Sequence, residues 1–292
     1  LKKAGGVLIL FQQILYTHES GKDKSSLKVT TQLFPLFEQL NLLLVLSLTK
    51  SGRMALQPWR KGIVTRIEHH THNTKSFWIR IPELEQFDFL PGQFVTLDLP
   101  IHEKATKRWR SYSISSWPEG TNEFELLIVQ AQGGLGTTYL FQEVKVGSEL
   151  NLRGAQGVFL LPEKMDKDIF LVCTGTGIAP FRSMVQYIHL HQLPFKNIHL
   201  IFGCRKKDDL LYYQELKELE KQLPGFHYHP TLSREHWEGR YGYVHPVYME
   251  LCADRQDALF YLCGWKHMVD EAKKHILEMG YDKKSILLEL YG

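Results

Sequence analysis

The sequence predicts a two-domain β plus α/β protein, with an antiparallel barrel of short strands first and a doubly wound parallel sheet after it. At 292 residues the chain is long enough for two separate cores. Up to about residue 130 the pattern is short strands of period two, separated by turn residues. Beyond about residue 165, apolar strand-like runs alternate with amphipathic helical stretches.

The first strand signal is Ile63-Val64-Thr65-Arg66-Ile67, and Phe77-Trp78-Ile79-Arg80-Ile81 repeats the alternation. Gln93-Phe94-Val95-Thr96-Leu97-Asp98-Leu99 follows the turn signal Pro91-Gly92, and residues 124–130 follow Pro118-Glu119-Gly120-Thr121-Asn122. Such spacing belongs to a small barrel. Residues 161–167, with Pro162 and several charges, read as a linker. Then come a strand over 169–173, a helix over 178–190, a strand over 198–202, a helix over 210–223, a strand over 259–263 and a helix over 267–279. This order predicts a parallel sheet with helices on both faces. The domains are placed at 54–164 and 165–292.

Composition is that of an ordinary globular chain, 43% hydrophobic and 23% charged. The formal charge is +3, and residues 1–53 hold seven Lys/Arg against three Asp/Glu, so no basic field argues for nucleic acid. Cys173, Cys204, Cys252 and Cys263 are scattered without a C-x-x-C pair, which signals neither zinc nor an iron–sulfur cluster and suits a reducing cytoplasm. Residues 1–53 contain no methionine, and Met54 is read as the natural start, with non-native or disordered sequence upstream. The apolar run at 40–48 is far shorter than the roughly 20 residues a spanning helix needs, so stable membrane insertion is not expected.

Several segments carry chemistry. In Arg110-Ser111-Tyr112-Ser113, period two puts Arg110 and Tyr112 on one face of a strand. Gly133-Gly134-Leu135-Gly136-Thr137-Thr138 is a turn that can lead into a helix. Thr174-Gly175-Thr176-Gly177-Ile178-Ala179-Pro180 lies between a strand and a helix, where backbone amides can hold phosphate. Pro180 stands where the G-x-G-x-x-G fingerprint has its third glycine. Gly203-Cys204-Arg205 follows the next strand, and Ser233, Arg234 and Arg240 form a cationic stretch beyond it. Cys263-Gly264 ends a strand, and Glu289 and Tyr291 share a face of the last one. His69-His70-Thr71-His72 has no carboxylate at metal-ligand spacing and reads as a solvated strand end.

Alone, each motif is weak. In this order and spacing they resemble the ferredoxin–NADP+ reductase family over residues 58–292, in its short form without an iron–sulfur domain. The resemblance implies a Greek-key FAD-binding barrel and an NAD(P)-binding α/β domain. It gives Arg110 to the FAD phosphates, Tyr112 to the isoalloxazine face and Ser113 to flavin N5. Gly134, Thr137 and Thr138 would lie at the pyrophosphate, with Thr137 at the family's serine position. Gln130 departs from the Lys or Arg of many relatives, which leaves FMN open beside FAD. Thr174, Gly175, Thr176, Gly177, Pro180 and Arg205 would hold the nicotinamide nucleotide. Ser233, Arg234 and Arg240 would favour NADPH, because a 2′-phosphate demands extra cations.

By the same resemblance Cys263 and Gly264 border the nicotinamide, while Ser113, Cys263, Glu289 and Tyr291 form the reacting centre. Met268 matches a family spacing but also suits a core position. The implied activity is an FAD-dependent NADPH oxidoreductase, with hydride transfer to flavin N5 and electrons passed to ferredoxin or flavodoxin. One alternative is the NAD(P)H-dependent reductase of an oxygenase component; another is a flavin-binding relay or regulatory subunit without NADPH oxidation. Lys104, Lys107, Arg108 and Arg110 form a basic cluster that would attract an acidic carrier.

Overall fold

The computed structural model describes residues 57–291; the expectation placed on residues 1–53 lies outside them. The first sheet contains β1 (Arg60–Thr71), β2 (Thr74–Arg80), β3 (Phe94–Asp98), β4 (Trp109–Ser113), β5 (Glu123–Val129) and β6 (Glu149–Gln156). All its pairings are antiparallel, in the order β4-β3-β6-β1-β2-β5. An Ile114–Leu126 bridge joins the end of β4 to β5 and closes the sheet on itself. Two short helices, α1 (Ala105–Arg108) and α2 (Leu135–Gln142), interrupt the strands. Inward-facing Val64, Ile79, Val95, Leu97, Leu126 and Leu152 fill the barrel.

The second sheet is wholly parallel: β7 (Met165–Thr174), β8 (Phe195–Cys204), β9 (Phe226–Leu232), β10 (Arg240–Tyr241), β11 (Ala258–Trp265) and β12 (Ile286–Tyr291). Its order is β10-β9-β8-β7-β11-β12, so the chain first walks outward from β7 and then restarts on β7's other side. Helices α3 (Ala179–His191) and α4 (Tyr213–Gln222) cover one face, while α5 (His245–Leu251) and α6 (Lys266–Glu278) cover the other. The apolar runs of β7, β8 and β11 follow from burial on both faces. In α3 the buried Ala179, Phe181, Met184, Val185 and Ile188 keep helical spacing, and Pro180 occupies the first turn, where a missing N–H costs nothing.

Two expectations change. Residues 165–167 belong to β7 rather than to a linker, because Met165 pairs with Phe195. His70 is not a solvated strand-end residue: it is half-buried, 2.8 Å from Ser76 Oγ and edge-on to Tyr212.

Candidate active site

β7 and β11 are neighbours from which the chain leaves in opposite directions, and a crevice opens at the carboxyl ends of such a pair. The turn Gly175–Ile178 leaves β7 there and runs straight into α3. It presses onto the end of β11: a Cβ at Gly177 would stand 2.4 Å from the Cys263 carbonyl oxygen. Gly264 has φ +136°, and a Cβ there would stand 2.7 Å from Thr174 Oγ1. The Thr174 hydroxyl is buried without a hydrogen-bond partner among the described residues. A buried hydroxyl without a partner calls for an explanation, and a polar ligand group is one.

A cleft of about 1130 Å³ runs along this edge. Of the residues singled out from sequence, its lining includes Thr174, Gly175, Thr176, Gly203, Cys204, Arg205, Ser233, Arg234 and Met268, with Thr71 at the end of β1 and His72 just after it. Met268 is also buried in the core beneath α6, as its core reading expects. Ser233 N–H donates to Cys204 O and Arg234 N–H to Arg205 O, each at 3.0 Å, which fixes the two arginine-bearing loops side by side. Arg240 is elsewhere: it forms a two-pronged pair with Glu250 at 2.7 and 3.1 Å and lines a separate cavity of about 240 Å³.

The barrel meets the parallel sheet at Ser113. This buried hydroxyl donates to Glu289 Oε2 at 3.0 Å and accepts from Tyr291 Oη at 2.6 Å. β12 pairs with β11 in the register Cys263 to Glu289, and Tyr291 packs against the core cluster that contains Cys263. Ser113, Cys263, Glu289 and Tyr291 therefore form one cluster. Burial pushes the Glu289 carboxyl up to about 7, partly opposed by the Ser113 hydrogen bond, so its proton is exchangeable near neutrality. Burial drives the Cys263 thiol and the Tyr291 phenol well above their ordinary values, and Cys263 stays an uncharged thiol.

On the barrel, Arg110 and Tyr112 stand opposite Leu97 and Val95 of β3. Tyr112 packs on the barrel core, and burial raises its phenol to about 12. Gly136 in the first turn of α2 abuts Arg110, whose guanidinium is turned onto the Lys107 and Trp109 carbonyls. Gly134 caps α2 with extended backbone and no side-chain cap, leaving its first N–H groups open beside that cation. Thr137 Oγ1 accepts from Ala131 N–H and donates to Gly134 O, both at 3.1 Å, so it closes the turn; Thr138 N–H makes the first helical bond, to Gly134 O. Gln130 follows β5, with its N–H on Asn73 O at 2.7 Å. An open amide terminus beside an arginine suits a pyrophosphate, and a tyrosine ring on the same strand suits a flat heterocycle.

The basic cluster is partly spent. Arg108 pairs with Asp98 and Arg110 points to backbone carbonyls, while Lys104 and Lys107 remain exposed. Among the described residues no group of three or more His, Cys, Asp or Glu side chains is placed to hold a metal ion, and no helix is long and apolar enough to cross a membrane.

Sequence reasoning missed a buried ionic group beside this site: Arg182, Glu125 and Glu215, with Tyr212 and Ser76. One signal was available. Arg182 falls three residues after Ala179, on the apolar face of α3. Glu125 was hidden, because period two turns it away from the barrel core, and its carboxylate meets Arg182 and Tyr212 of the second domain.

Two family models match the described residues. The model of an oxidoreductase FAD-binding domain matches residues 61–160, and that of an oxidoreductase NAD-binding domain matches residues 171–274. The fold and these two matches define a flavoprotein oxidoreductase that uses FAD and a nicotinamide dinucleotide. Ferredoxin–NADP reductase B of Sorangium cellulosum is 33% identical over 214 residues, covering 70% of this chain and 86% of that protein. The chain belongs to the ferredoxin–NADP+ reductase family. The anthranilate 1,2-dioxygenase electron transfer component of Acinetobacter baylyi is 29% identical over 72% of this chain, which spans only 61% of that protein's length. A ferredoxin NADP+ reductase from Neisseria gonorrhoeae, solved with bound FAD and NADP, superposes with a TM-score of 0.67 at 27% identity, over 80% of this chain and 98% of its own.

Proposed function

We propose that this protein is an FAD-dependent reductase that takes electrons from NADPH and passes them to a soluble one-electron carrier such as ferredoxin or flavodoxin. The observation carrying this reading is the cluster in which Ser113 of the barrel bonds Glu289 and Tyr291 of the parallel sheet. The FAD-binding part is assigned to 54–164 and the NADP-binding part to 165–292, supported by the change of sheet between Gln156 and Met165.

When bound, the two cofactors supply hydride transfer between nicotinamide C4 and flavin N5, followed by release of single electrons. Arg110, Gly134 and Thr138 hold the flavin's pyrophosphate end, and Tyr112 covers its ring. Thr174, Gly175, Thr176, Gly177 and Pro180 form the cradle for the nicotinamide nucleotide, and the buried Thr174 hydroxyl gains a partner there. Gly264 lets the ring approach, and Cys263 borders it without ionising. Ser113 relays hydrogen-bond changes to Glu289, whose exchangeable proton balances charge near the flavin. Tyr291, held on Ser113, covers the site and must yield to an incoming ring. Arg205, Ser233 and Arg234 hold the 2′-phosphate and set the preference for NADPH; Arg240, engaged by Glu250, supports their loop. The four free thiols favour a cytoplasmic setting.

The oxygenase reading is favoured by the similarity to the dioxygenase component. NADPH-driven dye reduction tests the function itself: turnover supports a reductase, and flavin-loaded protein without turnover leaves only an electron relay. NADPH much better than NADH supports the carrier reductase, and the reverse supports the oxygenase component.

A further inference from the structure

The barrel and the parallel sheet are joined a second time, away from Ser113, by a buried charge network. Arg182 lies in the first turn of α3, directly after the Gly175–Ile178 turn. Its side chain is 10% exposed and uses four hydrogen bonds. Nε and Nη2 hold the two Glu215 oxygens at 2.8 and 2.9 Å. Nη1 donates to Glu125 Oε2 at 2.7 Å and to the Ser115 carbonyl at 3.0 Å. Glu215 belongs to α4, whereas Glu125 is on β5 and Ser115 is two residues past Ser113. Arg182, carried by the helix that begins at the proposed nicotinamide cradle, therefore grips both α4 and the segment carrying the proposed flavin N5 partner.

The rest of the network tightens this grip. Glu125 Oε1 accepts from Tyr212 Oη at 2.7 Å and from Ser76. The Tyr212 ring lies 4.2 Å beneath the guanidinium, and His70 meets it edge-on from the barrel. Tyr212 adopts φ +53°, a conformation costly for a tyrosine, so its surroundings impose it. Gln186 donates to Glu215 Oε1 at 2.7 Å, which locks that carboxylate onto α3. A buried charge network of this kind is weak evidence for stability, since apolar residues can replace such pairs. A fork whose donors are matched on both sides fixes geometry, a task that lysine, a point charge, does not perform.

We propose that Arg182 is a positioning residue for the reaction: by clamping Glu215, Glu125 and the Ser115 carbonyl together, it sets the start of α3 against the end of β4, and so the gap across which the two rings meet. This rests on the reductase reading above. Hydride transfer is sensitive to placement, and a misplacement of about 1 Å can cost about 100-fold in rate.

The test uses the full chain loaded with FAD and the variants Arg182→Lys and, as a second perturbation from the barrel side, Glu125→Gln. Flavin reduction is followed at saturating NADPH, the KM for NADPH is measured, and amide exchange is compared in peptides covering residues 111–116 and 174–185. The expected result is flavin content and KM within about two-fold of the parent, a maximal rate lowered about 10- to 100-fold, and faster exchange in both peptides. Parental rate and exchange in both variants overturn the proposal. So does a rate that falls only in step with flavin content or melting temperature, which marks a structural role. If Arg182→Lys does not fold, Glu125→Gln decides alone. Parent protein whose flavin no nicotinamide nucleotide reduces refutes the reductase reading instead, and that outcome is read before any variant is compared.

Discussion

Glu289 gives the protein a predictable response to pH. Burial raises its carboxyl from an ordinary 4.5 to about 7, so the folded chain holds this proton more tightly than the unfolded chain. Below about pH 4.5 both states are protonated, and the contribution of the raised group is fully present. As pH rises through 7 the unfolded carboxyl is already ionised and the folded one follows, so the contribution is lost. The gap corresponds to roughly 3 kcal/mol, at about 1.4 kcal/mol per pH unit. Glu289→Gln keeps an oxygen that can accept from Ser113 and removes the ionisation. Relative to the parent, the variant should gain roughly 3 kcal/mol between pH 4.5 and pH 8.5. Denaturant unfolding of the flavin-loaded chain across this range measures it. The same substitution should remove an inflection near pH 7 from the rate of flavin reduction. A parent and variant whose stability difference does not change with pH would refute the reasoning, because Glu289 would then be neither buried nor proton-holding as described.

Other outcomes follow from the same geometry. Gly264→Ala places a Cβ at φ +136° and 2.7 Å from Thr174 Oγ1; it should cost about 2 kcal/mol of stability and weaken nucleotide binding, measured by melting and by NADPH titration. Ser113→Ala removes the donor to Glu289 and the acceptor for Tyr291; flavin reduction should slow about 10- to 100-fold with flavin content retained, each decade being about 1.4 kcal/mol. Arg234→Ala should raise the KM for NADPH about 10- to 100-fold, as expected for losing a charge-assisted hydrogen bond, and leave that for NADH nearly unchanged; an equal effect on both nucleotides removes the 2′-phosphate assignment. Carrier reduction should fall as salt rises, and Lys104→Glu with Lys107→Glu should flatten that dependence; a flat profile in the parent discards the basic docking surface.

Local pattern carried much of the architecture. β7, β8 and β11 are legible because strands buried on both faces become unbroken apolar runs, as in Ile169-Phe170-Leu171-Val172-Cys173. Period two also placed Glu289 and Tyr291 on one face, and both do reach Ser113. β6 was overlooked because only Leu150, Leu152 and Gly154 face inward, between Glu149, Asn151 and Arg153. β9 was overlooked because it carries two histidines and Pro230, residues that argue against a strand; Pro230 is tolerated where only the two-residue β10 lies beyond. The meeting of Ser113 with the last strand joins residues 176 apart, and no periodicity encodes that. Arg240 shows the converse: the basic stretch was visible, but its pairing with Glu250 of α5 depends on a tertiary contact.

The most direct measurement is anaerobic mixing of the flavin-loaded protein with NADPH, and separately with NADH, while the flavin absorbance is followed. NADPH should bleach the flavin rapidly and NADH slowly. Equal or faster bleaching by NADH contradicts the role of Arg205, Ser233 and Arg234 at a 2′-phosphate, and flavin that neither nucleotide bleaches contradicts the reductase reading itself.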